Sequence, residues 1–292
     1  MKRETWQGFK LELPYMLFLV PALIGLAMFF VYPVVSSIYY SLTNWNGLNP
    51  TFDFVGLKNY VRLAKDTVIV SAVKHTLLYA VLMTIIQNAL AVPLAVALDS
   101  KMRTKNLQRL VFFAPAVLSP LIVGFLWSYI MSPGGGMLWS LGWKANFLGD
   151  PDTVMYSLVF VSVWQFTGWA AVIYLANLQG ISQDYYEAAT IDGANRWKQF
   201  WHVTFPMLAP ALTINVINSL VGSLKVFDIV MSMTQGGPGT SSETITTMLI
   251  KRAFTEYRYG YGSAIAVMFL AITAVLSVFL LKYMQNREEK LA

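Results

Sequence analysis

The sequence predicts an all-α integral membrane protein with six transmembrane helices and both termini in the cytoplasm. Three observations lead there. Hydrophobic residues make up 56% of the 292 residues and charged residues 12%, half of the roughly 25% that a soluble domain carries. Six stretches with little or no charge each reach the about 20 residues that a bilayer-crossing helix needs. The basic residues fall in the gaps between these stretches, where they meet lipid headgroups and set orientation. The net charge of +6 is therefore read as a membrane feature, with no nucleic-acid partner. With no cysteine, disulfides, thiol nucleophiles and thiolate metal sites are excluded.

The spans are expected at about 13–42, 75–98, 110–131, 153–181, 207–233 and 259–281, in a single transmembrane domain covering 1–292. The first follows Lys2, Arg3 and Lys10. Its apolar run is about twice a signal peptide's length and lacks a clear small-x-small cleavage site, so it is read as an uncleaved span. The second lies between Lys74 and Asp99. The third must end near Met131, because Pro133 and three glycines follow. The fourth runs from Thr153 toward Ile181. The fifth is interrupted by Lys225 and Asp228, and the sixth starts at Tyr259. Pro21, Pro33, Pro93, Pro115, Pro120 and Pro210 fall in or near these spans. Each removes a helix hydrogen bond and favours a kink, which membrane helices tolerate when neighbours re-satisfy the backbone.

Orientation follows from the basic residues. With the N-terminus inside, twelve lie in inside segments, among them Lys101, Arg103, Lys105 and Arg109, and eight in outside segments such as that of Lys58, Arg62, Lys65 and Lys74. Lys225 is intramembrane. The positive-inside rule then puts both termini in the cytoplasm.

The inside segment 182–206 is too elaborate for a simple connection. Ser182 or Asp184 can cap a short helix, Glu187, Ala188 and Ala189 favour it, and Gly193 suits the left-handed position that ends it. A second short helix then leads through Phe200, Trp201 and Phe205 to Pro206. Small alanines, a carboxylate and an angle-setting glycine make a docking element. Glu187-Ala188-Ala189, three residues, Gly193, nine residues, and Val203-Thr204-Phe205-Pro206 resemble the Glu-Ala-Ala signature of the permease subunits of bacterial ATP-binding-cassette importers. Val and Phe stand where the signature has Ile and Leu, both apolar. Further matches cover nearly the whole chain: Tyr32-Pro33, Ser41–Trp45, Phe54–Tyr60, Ser162–Trp164, Glu187–Ala194, and Val226–Asp228 ahead of Gly236–Gly239. They resemble the sugar-permease branch, the MalF/UgpA-like family.

The resemblance implies a type I ABC importer permease fold and no enzymatic activity in this chain. It implies a heterodimer with a second homologous permease, two ATPase subunits that bind ATP and Mg, and an extracytoplasmic solute-binding protein that delivers a sugar or oligosaccharide. ATPase coupling is expected from Glu187, Ala188, Ala189, Asp192, Gly193 and Pro206. No Gly-x-x-x-x-Gly-Lys-Ser/Thr occurs, so no nucleotide or other cofactor is expected in this chain. His75 and His202 lie in different regions, and no metal site is expected either.

Polar groups inside spans are costly and face a cavity or a partner. The fifth span offers Asn215, Asn218, Ser219, Ser223, Lys225 and Asp228. Three apart, Lys225 and Asp228 are expected on one helix face, where they can pair; they are either a neutralised pair near the outer interface or a polar wall beside the solute. Trp164, Gln165 and Trp169 lie deep in the fourth span. An indole stacks on the apolar face of a sugar ring while amides bind its hydroxyls; helix packing is the other reading. Gln87 and Asn88 are further candidates. An autonomous secondary transporter or channel is the alternative function, and a solute such as glycerol 3-phosphate the alternative cargo. An intramembrane enzyme finds no catalytic constellation here.

Overall fold

A computed structural model describes residues 18–99 and 104–289. Lys2, Arg3, Lys10, Lys101, Arg103, Lys290 and the first residues of the first expected span lie outside the described residues. The helices are α1 (Phe18–Ser41), α2 (Lys58–Lys65), α3 (Thr67–Asp99), α4 (Lys105–Val117), α5 (Pro120–Ile130), α6 (Met137–Ser140) and α7 (Val154–Leu178). They continue with α8 (Gln183–Ile191), α9 (Arg196–Met207), α10 (Ala209–Leu224), α11 (Asp228–Met233), α12 (Ile245–Ile250, extended by a π-helical turn Lys251–Thr255) and α13 (Tyr259–Glu289). No strand forms among the described residues.

Four helices, α1, α3, α7 and α13, are long and apolar enough to cross a bilayer unaided. The pairs α4–α5 and α9–α10 bring the number to six if each is one span. The expected third span, 110–131, is thereby corrected: α4 and α5 meet at 96°. Their 13 and 11 residues span only about 20 and 17 Å at 1.5 Å per residue. Pro120 is the cause, since it cannot donate to the preceding turn and pushes Ser119 out of helical geometry; Ser119 takes ψ 131°. Pro93 and Pro115, by contrast, are absorbed inside α3 and α4. α3 begins at Thr67, eight residues before the expected start, because Lys74 ends an apolar run but not a helix. The fifth span is also divided. α10 stops at Leu224, and α9 meets it at 65°.

The described residues fall into two compact units. The first joins residues up to 64 with 249–268. Its organising feature is the turn after α1. Asn59 Nδ2 donates to the carbonyls of Ser41 and Thr43, both at 2.8 Å, and Ser41 Oγ meets Tyr60 Oη at 2.7 Å. Asn44 and Asp53 bond reciprocally. Trp45 packs on Tyr40 and Tyr259, with ring centroids at 4.3 and 4.9 Å. Gly260 is required here, because a Cβ would collide with the Thr43 carbonyl. Within α1, no residue from Phe18 to Tyr40 is buried.

The second unit comprises residues 65–248 and 269 onward. α7 is its centre: fifteen of its 25 residues are buried. One apolar cluster gathers Val123, Leu158, Val161 and Val230, another Ala91, Ala171, Tyr174 and Leu208. Gly168 lets α7 approach α4 closely, since a Cβ there would collide with the Phe112 carbonyl.

Candidate functional site: an intramembrane cleft and an exposed helix–turn–helix

A cleft of about 300 Å³ opens among α3, α7, α10 and the start of α11. From α3 it takes Tyr79, Met83 and Gln87, four apart and so on one face. From α7 it takes Ser162, Gln165, Phe166 and Trp169, and from α10 Asn215, Asn218, Ser219, Gly222 and Ser223. Lys225 and Asp228 lie at its edge, both exposed.

Its walls are held by side-chain hydrogen bonds, most of them between helices. Ser219 Oγ donates to Gln87 Oε1 at 2.5 Å, and Gln87 Nε2 donates to the Phe166 carbonyl at 2.9 Å. Asn88 receives the Tyr174 hydroxyl at 2.5 Å and donates to the Thr84 carbonyl. Tyr79 donates to Ser162 Oγ at 2.6 Å, and Asn215 Nδ2 to the Ala170 carbonyl. Gln165 is fully buried, its Nε2 donating at 3.0 Å to the Leu118 carbonyl freed by the break before Pro120. That contact fixes the amide, and the buried Gln165 Oε1 has no hydrogen-bond partner among the described residues.

The expected Lys225–Asp228 pair does not form. The α-helix ends at Leu224, and Lys225 to Phe227 are not helical, so the one-face geometry is lost. The break is closed by short turns, Lys225 N to the Gly222 carbonyl and Val226 N to the Ser223 carbonyl, both 3.2 Å. Thr244 Oγ1 caps the freed Val226 carbonyl. Asp228 instead starts α11. Trp164 is a second correction. It does not line the cleft but sits edge-on to Trp127 at 5.4 Å, which in turn meets Phe160. Trp169 does line it, stacked on Phe113 at 5.9 Å. Gln165, Asn218 and Ser223 line the same cleft. Tyr79 and Ser162 were missed; their four-residue spacing to Met83 and Phe166 carried the signal.

The segment 182–206 folds as two helices about a glycine turn. Ser182 Oγ accepts from Asp184 N at 3.3 Å. At the other end of α8, Gly193 N donates to the Thr190 carbonyl at 3.0 Å and Ala194 N to the Ala189 carbonyl at 2.9 Å. This pair of bonds is a Schellman closure with Asp192 as cap, and it needs a left-handed residue; Gly193 has φ +75°. Asn195 Oδ1 caps α9 through Lys198 N at 2.9 Å. Gln199 Nε2 reaches Thr190 Oγ1 and the Ala194 carbonyl, and Tyr186 meets Thr204 at 3.1 Å. The two helices are thus braced against each other. Glu187, Ala188 and Asp192 are exposed, as is Ile191 at 87%; Ala189 and Pro206 are half-buried. Glu187 forms no ion pair with the described residues.

Residues 68–289 match the model of a family described as binding-protein-dependent transport system inner membrane component. The chain is 36% identical over 283 residues to a probable starch degradation products transport system permease protein of Thermoanaerobacterium thermosulfurigenes, covering 96% of this chain and 97% of the relative. It is 33% identical to a multiple sugar-binding transport system permease protein of Streptococcus mutans, covering 93% and 95%. Identity to an sn-glycerol-3-phosphate transport system permease protein of Agrobacterium fabrum is 28%, over 94% and 95%. In fold it is similar to a chain of a bacterial ABC transporter that imports the acidic polysaccharide alginate, with a TM-score of 0.85 at 21% identity over 97% and 99%.

Proposed function

The chain belongs to the family of binding-protein-dependent transport system inner membrane components, and from that membership we propose that it forms half of the path by which an ATP-driven importer moves a sugar or oligosaccharide. It is a multi-pass inner-membrane permease with the type I ABC importer fold. The cleft carries the reading of its cargo. The Trp169 ring offers an apolar face, while Asn218 and Ser223 offer hydrogen bonds in a cavity without net charge, since Lys225 and Asp228 balance. A hydroxylated ring needs that combination. Relatives named for starch degradation products and for multiple sugars are 36% and 33% identical to this chain, and the glycerol-phosphate relative 28%.

The exposed face of α8 supports a coupling role. Glu187 meets a cation on an ATPase subunit, Ala188 and Ala189 admit close approach, and Asp192, Gly193 and Pro206 hold the angle of the two helices. Two such ATPases bind ATP and Mg, a second permease completes the path, and an extracytoplasmic binding protein delivers the solute. Both termini face the cytoplasm, with 182–206 on the same side.

The test is purification of the full chain from its native membrane, followed by uptake in vesicles. An ATPase and a second permease are expected to co-purify, and uptake of maltooligosaccharides is expected to require ATP. Solute flux through the isolated chain, with no ATPase attached, would establish an autonomous transporter instead.

A further inference from the structure

A second and larger cavity, about 690 Å³, shares no lining residue with the cleft. One wall is the stretch of α3 from Asn88 to Ala97, the other the aromatic side of α9 with Leu212 beyond it. The α9 wall is Trp197, Phe200, Trp201 and Phe205, whose rings pack on one another at centroid distances of 5.0 to 6.3 Å. Among the described residues a single charged one lines the groove, Arg196. Its guanidinium forms no hydrogen bond or ion pair with the described residues, and no acidic side chain among them lines the groove. An apolar slot with one unopposed guanidinium fits an amphiphile with an acyl chain and an anionic head.

We propose that this groove holds one anionic phospholipid, its chain along α3 and its phosphate on Arg196. The size lies within the about 300–1,000 Å³ of small-molecule sites. A guanidinium binds phosphate through two parallel N–H donors, so it favours that head over a neutral one. Trp197 and Trp201, 69% and 45% exposed, have the amphipathic character of side chains at headgroup level. Basic pockets between membrane helices hold anionic lipid heads for the same reasons. The occupant that competes is a helix of a second subunit, which would have to bring its own anion to Arg196. The inference depends on membrane embedding and not on the transported solute.

The experiment uses the full chain purified in detergent, incubated with dioleoyl phosphatidylglycerol or dioleoyl phosphatidylcholine, and bound lipid counted by native mass spectrometry. The wild type is expected to retain one phosphatidylglycerol with about fivefold preference over phosphatidylcholine. Arg196→Gln should erase that preference, Arg196→Lys should keep part of it, and Val96→Trp should fill the slot and reduce retention of both lipids. Lys144→Gln, remote in sequence and bonded to the Trp139 carbonyl, controls for charge alone and should change nothing. Helicity by circular dichroism identifies any variant that misfolds, and the Arg196→Lys and Val96→Trp arms then decide. Absence of preference in the wild type, its persistence in Arg196→Gln, or its loss in Lys144→Gln overturns the proposal. So does loss of bound phosphatidylglycerol when the second permease is attached, which would make the groove a subunit interface.

Discussion

Ser219 of α10 donates a 2.5 Å hydrogen bond to Gln87 of α3, and the same Gln87 amide holds the Phe166 carbonyl of α7. One side chain therefore ties three walls of the cleft. Gln87→Leu leaves the half-buried Ser219 hydroxyl without that acceptor, at a cost of about 0.5–1.5 kcal/mol for the lost bond. The expected outcome is a lower unfolding temperature in detergent, with Ser219→Ala milder. A double-mutant cycle should show coupling, because the two changes remove one shared bond. Strict additivity would mean that the bond does not hold the walls.

Gly193 tests the coupling element. A Cβ there meets nothing within 4 Å, so only the backbone at φ +75° resists substitution. Gly193→Val should cost about 1–2 kcal/mol locally and misdirect α9. The expected result is normal insertion and permease pairing with loss of ATPase retention and of solute-stimulated hydrolysis. Gly193→Asn tolerates the left-handed region and should keep most of both. Full stimulation in Gly193→Val would remove the docking role.

Trp169 and Trp164 separate cavity from packing. Trp169→Ala should weaken uptake through a raised apparent KM, because it lines the cleft. Trp164→Ala should leave KM unchanged and lower stability, because its ring packs on Trp127. Equal effects on KM would contradict this assignment.

Gly168 and Gly222 form a further pair. Gly168→Ala forces a Cβ against the Phe112 carbonyl, and overpacking of this kind costs about 1–3 kcal/mol. Gly222→Ala meets open space and should be neutral or slightly stabilising within its helix. Thermal unfolding of the two variants checks the close approach of α4 and α7.

Orientation is checked by labelling on this cysteine-free background. Cysteine at Thr240 is expected to react from outside the membrane and at Thr104 from inside only. The reverse pattern would invert the positive-inside assignment and move 182–206 away from any cytoplasmic ATPase.

Sequence composition and span length made the membrane class and the approximate positions of the helices readable. The helix–glycine–helix at 182–206 was readable too, because capping and left-handed glycine are local properties of the chain. The break at Pro120 was legible as a kink but not as a 96° turn, since its angle depends on what α7 offers, here Gln165 for the freed Leu118 carbonyl. Lys225 and Asp228 misled for a related reason. Three-residue spacing places two residues together only in an unbroken helix, and Thr244, far along the chain, stabilises the break. Trp164 and Trp169 differ by five residues, about 140° around a helix, so one depth in the sequence held two different directions.

The bare flank of α1 bears on how the proposed complex would recognise its own parts. Hydrocarbon solvates such a helix about as well as another protein does, so greasiness gives no reason to leave the lipid for a neighbour. Any choice of companion along this helix rests on contour and on a few hydroxyls such as those of Tyr32 and Tyr39, and the π-helical turn at Ala27–Val31 is a local departure from a smooth rod. In the proposed assembly, two permeases of similar composition can thus be sorted largely by the shape of a single helix, without a charge on its described residues to distinguish them.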